Sequence, residues 1–570
     1  MPPRDMGAVR NVLEFRPLRR CVYLPEHRVY EVEFSPGHSA LENWLSNYSL
    51  RRLTLAHSNV NWVPEVYWGS LRDILEAACH VEAPHLPEPG HFQRPASGPW
   101  TVPDKWLTSM WGTELRPYQV SAVQFLLQGN ALLGDDLGLG KTLATLWAWW
   151  LIGPGLPDHC HLIVVVPNED VAGDWIGCIR DRMGDRFDYT LVRSRKDLDY
   201  CSVNSDNQVI LIPYSKVWRS GYYEAMEALA PSSILVLDEA HRISRSGNKQ
   251  HAGCYALAQR CRAVWCLSGT EVSNTPDQYY GMYRVVCRPW EGVSESHNRP
   301  AVLTDKSWVQ YFRSNSSANS WIPERLESLR HLRQGFALRR VKEEVQQDLP
   351  PLTILDLDCK MDDVTRKIYR DLESECQAEL VRQGNPEILT EEHFWVIYLR
   401  LIQLCSHPRL LGEERVTDPA KWERLACILL DAGMSQQIGI WSNFPGTIDW
   451  IAERIRTEMP WLSVGVAHGG VSKDERAEIK QQIQDGKLDV VVANPMIWGE
   501  GVNLQAISVG VYWDYHPSRV RYVQSLGRFH RMGQTKAVTI YRLRYTNSVD
   551  QKICQWLERK AQLARLITGN

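Results

Sequence analysis

Three groups of residues in this 570-residue chain have the types and spacing for chemistry on a phosphate ester. The first is Gly134-Asp135-Asp136-Leu137-Gly138-Leu139-Gly140-Lys141-Thr142, which follows an apolar run and opens a helical one. Glycines here let backbone N–H groups turn inward, and the helix behind them presents its positive end to a phosphate. Lys141 reaches outer phosphates and the Thr142 hydroxyl suits Mg²⁺. Asp135 stands where the generic phosphate-loop pattern has its first glycine, so the signal rests on the strand–loop–helix context together with Gly138, Gly140, Lys141 and Thr142. The second group, Asp238-Glu239-Ala240-His241, ends the apolar run Ile234–Leu237. Adjacent carboxylates at a strand end are costly unless their charge is compensated. A hydrated Mg²⁺ does this, with Asp238 on the metal's shell and Glu239 orienting and deprotonating an attacking water. The third group is Gln524, Arg528 and Arg531, spaced i, i+4 and i+7 and expected on one face of a helix. A row of guanidiniums calls for an anion, and phosphoryl transfer develops negative charge in its transition state.

Elements able to position these groups are visible as alternating strand and helix patterns. Ala131–Leu133, His161–Val166, Val209–Ile212 and Ile234–Leu237 are short apolar runs of the kind buried in a parallel sheet. A second set comprises Ile438–Trp441, Val464–Val466, Leu488–Val492 and Val509–Tyr512. Alternation of this kind predicts doubly wound α/β architecture, with the ligand site at the carboxyl ends of the strands. The expected organisation is an accessory module over 1–105, a first α/β lobe over 106–290, a helical insert over 291–420 and a second α/β lobe over 421–570. Lys141 and Arg528 fall in separate lobes, so nucleotide would draw the lobes together and hydrolysis would release them. In the first 105 residues, Arg28–Phe34 alternates like a strand, and Pro84–Pro103 is rich in proline like a linker.

Composition narrows the partners. The chain is 44% hydrophobic and 23% charged with a net charge of -3, so a nucleic-acid partner would need a locally basic channel. The 14 cysteines form no CxxC pair, and Cys261 and Cys266 read as core residues, which speaks against zinc. Neither a signal peptide nor a run of about 18 apolar residues is visible. A reduced, intracellular enzyme is expected: cytoplasmic or nucleoid-associated in a bacterial or viral setting, nuclear in a eukaryotic one.

With these segments in place, residues 106–565 resemble superfamily 2 helicase-type ATPases, and among them the Swi/Snf group of double-stranded DNA translocases. Leu115-Arg116-Pro117-Tyr118-Gln119 resembles the group's first motif, which implies that Gln119 contacts adenine. The phosphate loop is similar to the group's own version, acidic pair included, and places Asp136 among the nucleotide-binding residues. Leu267-Ser268-Gly269-Thr270 with Asn274-Thr275-Pro276 resembles the motif coupling hydrolysis to movement, although Glu271 stands where proline is usual. Leu338–Lys342, Gln403–Pro408, Gly499–Leu504 and Gly527–Gln534 resemble further signatures. They imply roles for Gly501 toward nucleotide and Asn503 toward DNA; His407 reads better as a helix-end residue. Candidate DNA-contact segments are Pro167-Asn168, Pro213-Tyr214-Ser215 and Ala467-His468-Gly469-Gly470, while Trp147-Ala148-Trp149-Trp150 reads as core. The resemblance implies two RecA-like lobes, ATP and Mg²⁺ as cofactors, duplex DNA as partner and a monomeric motor. Two other functions stay open, a strand-separating helicase and a DNA scaffold or clamp with a vestigial ATPase. Retention of Lys141, Asp238, Glu239, Arg528 and Arg531 argues against a relic.

Overall fold

The protein is described as a computed structural model. It describes four short N-terminal strands and residues 115–152, 160–183, 187–201, 208–245, 247–271, 279–287, 326, 329–330, 333–345, 349–382, 391–413, 418–432, 436–497, 504–531 and 533–568. The N-terminal strands are β1 (Leu18–Leu24), β2 (Val29–Phe34), β3 (Leu50–Leu53) and β4 (Val60–Pro64). They form an antiparallel sheet in the order β1-β2-β4-β3, so the alternating segment at Val29–Phe34 is a strand. The proline-rich stretch Pro84–Pro103 lies outside the described residues.

The chain clusters into two units. The first takes residues 1–136, 140–341 and 563–570; the second takes 137–139 and 342–562. The first unit carries β5 (Ala131–Leu133), β6 (His161–Val166), β7 (Asp188–Leu191), β8 (Gln208–Pro213), β9 (Ser233–Leu237), β10 (Ala263–Leu267) and β11 (Ala337–Leu338). These pair in parallel in the order β11-β5-β10-β9-β6-β8-β7. Both faces are covered. One face packs Leu162, Val164 and Val236 against Trp147, Trp149 and Trp175; the other packs Ile163, Val165 and Leu237 against Tyr214, Tyr279 and Tyr283. Burial on both sides is why these strands are continuous apolar runs rather than alternating ones. The tryptophans at 147 and 149 are core, as expected, and so are Cys261 and Cys266.

The second unit has β12 (Leu352–Cys359), β13 (Gln437–Trp441), β14 (Val464–Ala467), β15 (Val490–Ala493), β16 (Ile507–Tyr512) and β17 (Val538–Tyr545). Their parallel order is β12-β17-β16-β13-β15-β14. Residues 291–420 are therefore not wholly helical. Within them β11 pairs with β5 in the first sheet and β12 pairs with β17 in the second. Apolar periodicity missed both strands: β11 has only two residues, and β12 reads Leu352-Thr353-Ile354-Leu355-Asp356-Leu357-Asp358-Cys359 with its carboxylates paired to Arg542 and Arg544 of β17.

Candidate nucleotide site

β5 ends at Leu133 and the chain turns through the glycine-rich loop into the helix Lys141–Ile152. Gly138 and Gly140 have φ of +87° and +80°, a backbone region in which a side chain is strained. A Cβ at Gly140 would lie 2.4 Å from Gln119 Nε2, so the Gln119 amide packs directly on the loop. Its other end is fixed too, since Gln119 Oε1 accepts from the Arg116 N–H at 3.0 Å. Lys141 Nζ donates to the carbonyls of Asp135 at 2.7 Å and Asp136 at 3.2 Å, folding the ammonium over the loop.

The acidic pair of the loop is engaged by two arginines. Asp135 accepts from Arg340 at both carboxylate oxygens, with the Nε contact at 3.0 Å. Asp136 Oδ1 accepts from Arg339 Nη2 at 2.9 Å, and the same arginine's Nη1 donates to Gly134 O at 2.8 Å. Asp136, grouped from the sequence with the nucleotide-binding residues, is paired with Arg339 in this structure. A carboxylate is a poor neighbour for phosphate and a good one for a guanidinium. Burial pushes the Asp135 carboxyl up, against the lowering influence of Arg340 and Lys141.

β9 delivers Asp238 and Glu239. Asp238 Oδ2 accepts from Trp175 Nε1 at 2.8 Å, its Oδ1 from the Glu239 N–H at 2.9 Å, and its carbonyl from the Tyr214 hydroxyl at 2.9 Å. Glu239 is one of two non-glycine residues with positive φ among the described residues, at φ 50° and ψ 52°. Such a conformation costs on the order of 1–3 kcal/mol and persists only where its surroundings impose it. His241 Nδ1 lies 3.0 Å from Glu239 Oε2 and 3.5 Å from the hydroxyls of Ser268 and Thr270, which follow β10. The histidine therefore stands between the acidic pair and the Ser268-Gly269-Thr270 segment. Desolvation, reinforced by the Glu239 charge, pushes Asp238 well above the usual carboxylate range. Burial pushes Glu239 up as well, but His241, Lys141 and Arg242 outweigh it and hold this carboxyl below its ordinary value. One carboxylate ready to ionise beside one reluctant to do so is a pair that a divalent cation would stabilise. Each Asp238 oxygen uses one acceptor site on the donors above and keeps capacity for water or metal, so the residues fit Mg²⁺.

Glu271 is buried, and both of its oxygens accept from Arg333 at 2.6 Å; the two side chains are 0% and 5% exposed. A Cβ on Gly134 would sit 1.5 Å from Glu271 Oε1, so only glycine fits where the phosphate loop begins. Asn274-Thr275-Pro276, Gly501 and Asn503 lie outside the described residues.

In the second unit the helix Arg519–Phe529 carries Gln524 and Arg528, both buried, and His530 closes it. Arg531 lies beyond the helix end, which corrects the single-helix-face expectation. Even so, Gln524, Gly527, Arg528 and Arg531 line one recess. The segment after the helix is held through its backbone and His530: Lys342 Nζ donates to His530 O, His530 Nε2 lies 2.8 Å from Pro350 O, and Gln534 Nε2 donates to Phe529 O at 3.2 Å. Sequence spacing could not show these contacts, because Lys342 and Pro350 lie some 180 residues upstream of their partners.

The candidate DNA-contact residues divide. Asn168 and Ser215 are exposed and Pro167 is half-buried. Tyr214 is wholly buried, which corrects its reading as a surface contact; its phenol serves Asp238 instead. Gly469 and Gly470 are exposed, while His468 is fixed by Asp449 at 2.9 Å and by the Gly470 N–H at 3.1 Å. His407 caps the short turn Pro408–Leu411 through Nδ1, the helix-end role expected of it. Trp175 was missed altogether, since nothing in a helical tryptophan announces that its nitrogen meets a carboxylate 63 residues away.

These strand-end carboxylates beside a glycine-rich loop define a helicase-type nucleoside triphosphatase, and comparison with known proteins gives the family. The chain matches the SNF2-related domain over residues 59–410 and the helicase conserved C-terminal domain over 420–533. It belongs to the SNF2-related family, the Swi/Snf-type ATPases of helicase superfamily 2. It is 22% identical over 535 residues to TATA-binding protein-associated factor 172 of Homo sapiens, covering 80% of this chain and 28% of that protein. To the ISWI chromatin-remodeling complex ATPase ISW1 of Saccharomyces cerevisiae it is 22% identical over 488 residues, 80% of this chain and 40% of the relative. Chromodomain-helicase-DNA-binding protein 1-like of Mus musculus is 24% identical over 518 residues, 85% of this chain and 53% of that one. The chain thus spans between about a quarter and about half of these relatives' lengths. Among solved structures it is similar to the Sulfolobus solfataricus SWI2/SNF2 ATPase core in complex with dsDNA, with a TM-score of 0.38, 21% identity, and coverage of 81% of this chain and 95% of that one. Among the described residues no helix is long and apolar enough to cross a membrane.

Proposed function

We propose that this protein is a DNA-stimulated ATPase that moves along duplex DNA and remodels protein–DNA or branched DNA structures. The observation that carries the ATPase half is the Asp238–Glu239 pair, fixed from several sides and strained at Glu239 beside the Lys141 loop. Lys141, with Thr142 and the loop amides, holds the outer phosphates; Gln119 packs where an adenine edge would be read. Glu239, kept ionised by His241, accepts the proton of the attacking water. Mg²⁺, held through Asp238 and Thr142, supplies charge neutralisation on the phosphate oxygens. Arg528 and Arg531 then meet the charge developing on the outer phosphate.

The DNA half rests on family membership and on Pro167-Asn168 and Ser215, which lie at strand ends where backbone contacts to a duplex would carry no sequence information. ATP turnover measured with single-stranded, duplex and forked DNA and with RNA tests this reading. Stimulation by duplex above the other ligands is expected. Efficient strand displacement that needs a 3′ tail would instead establish a strand-separating helicase, and turnover indifferent to every nucleic acid would remove the motor reading.

A further inference from the structure

We infer that Trp175 and Tyr214 are positioning residues that carry nucleic-acid engagement at two first-unit loops to the metal-holding carboxylate of Asp238. The inference rests on the proposed function for its DNA partner, and on geometry for the connection.

Both side chains lie inside the protein, Trp175 at 1% exposure and Tyr214 at 0%. They belong to the apolar layers on opposite faces of the first sheet, Trp175 beside Val164 and Val236, Tyr214 beside Val165 and Leu237. Each nevertheless spends its polar atom on the same residue. The indole N–H donates to Asp238 Oδ2 at 2.8 Å and the phenol O–H to Asp238 O at 2.9 Å. Packing alone asks for no donor at either place, since phenylalanine would fill much of the same volume. Two donors converging on one residue from the two faces of a sheet fix the Asp238 carboxylate and the peptide that carries it. The indole and the Glu239 N–H hold the carboxylate and the phenol holds its peptide, so a shift of either aromatic holder is passed to Asp238.

Both holders are rooted in strand-end loops with exposed residues. Trp175 stands on the helix Glu169–Cys178, whose cap is the exposed Asn168; the Asn168 side chain accepts from the Val171 N–H at 3.0 Å. Residues 168 and 175 are two turns apart, so they share a face and are separated by about 10 Å of rigid helix. Tyr214 immediately precedes the exposed Ser215, and its own N–H donates to Val166 O at 2.9 Å, which ties the second loop to the strand leading into the first. A backbone phosphate gripped at Asn168 or Ser215 therefore loads elements that end on Asp238. Displacements of about 1 Å suffice, since misplacement on that scale changes rates by roughly a hundredfold.

The test uses the full chain with Trp175→Phe and Tyr214→Phe, which keep an aromatic ring and delete one donor each. Trp147→Phe is the control, because this buried indole packs in the same layer as Trp175 and its nitrogen has no hydrogen-bond partner. The readout is the Mg²⁺ concentration that half-saturates binding of a fluorescent non-hydrolysable ATP analogue, measured by anisotropy with and without a duplex oligonucleotide. In the unaltered protein, duplex should lower that concentration. With Trp175→Phe it should rise about tenfold, the loss typical when a partner behind a metal ligand is removed. The duplex effect should vanish while DNA affinity, read from a labelled oligonucleotide, is unchanged. Tyr214→Phe should act in the same direction with smaller size, and Trp147→Phe should change only thermal stability. Normal Mg²⁺ dependence in Trp175→Phe, or an equal shift in Trp147→Phe, would overturn the inference. If duplex shifts nothing even in the unaltered protein, the DNA partner of the proposed function fails and the relay falls with it. The DNA-free arm tells that outcome apart from a failure of positioning.

Discussion

At the carboxyl ends of the first sheet, four acidic groups near the phosphate loop lean on donors brought from far along the chain: Asp135 on Arg340, Asp136 on Arg339, Asp238 on Trp175, and Glu271 on Arg333. The second sheet ends differently. There a single carboxylate, Asp514, gathers neutral donors, namely the Ser406 and Ser442 hydroxyls at 2.7 and 2.5 Å and the Asn443 N–H and amide at 2.9 and 2.7 Å. Its cation Lys421 is spent on Asp550 at 2.7 Å, both fully buried. Arg528 and Arg531 line a recess beside a segment to which Lys342, His530 and Gln534 contribute hydrogen bonds. The first unit is thus a cradle of carboxylates held by distant guanidiniums and an indole, and the second sets Arg528 and Arg531 around a recess. Damage to a charge in the first cradle should therefore cost folding, whereas damage at the Arg528–Arg531 recess should lower turnover.

Arg528→Ala would break this contrast most sharply. Turnover should fall by about 10³–10⁵, as for arginines that stabilise phosphoryl transfer; phosphate-release kinetics decide it. Glu239→Gln should lower turnover by roughly 10²–10⁴, the range for loss of a general base. Unchanged phosphate release would mean that another base acts.

Arg333→Met probes the opposite limb. It strands Glu271 as a lone buried carboxylate and should cost about 3–5 kcal/mol of stability, read by denaturant unfolding. Adding Glu271→Leu should recover much of that loss, because an apolar pair can replace a buried ion pair. Gly134→Ala should cost about 1–3 kcal/mol through overpacking against Glu271, and Glu271→Ala in the same chain should relieve it.

The mildest test is pH. Burial holds His251 of the first unit, and His407 and His516 of the second, near about 4. These histidines bind fewer protons folded than unfolded, so their stabilisation is complete above about 6.5 and disappears as the pH falls through 4. Asp135 and Asp238 of the first unit have raised values and oppose the loss, because the folded state then takes up protons more readily. In the second unit Asp550 does so, while His530, also lowered, adds to the loss. Between pH 6.5 and 4 the second unit should accordingly open first in hydrogen exchange; earlier opening of the first would refute the charge comparison.

Much of this was legible from residue order. Continuous apolar runs marked the strands around Ile163, Ile210, Ile234 and Val511, since a strand covered on both faces has no polar side to show. Gly140-Lys141-Thr142 and Asp238-Glu239 announced phosphate and metal chemistry because strand, loop and helix are consecutive in the chain. β11 and β12 were not legible: a two-residue strand has no period, and Asp356 and Asp358 look solvent-facing until Arg542 and Arg544 are set beside them.

By itself, then, the sequence determined which groups are present and which short elements carry them, because loop chemistry and strand burial are local properties. Tertiary structure alone decided what those groups do for one another. It paired Asp136 with Arg339, moved Arg531 off its helix while leaving it in the recess with Arg528, and buried Tyr214 behind Asp238. Each of those outcomes depends on a donor and an acceptor separated by tens to hundreds of residues, or on a helix end set by packing, and neither is written in spacing along the chain.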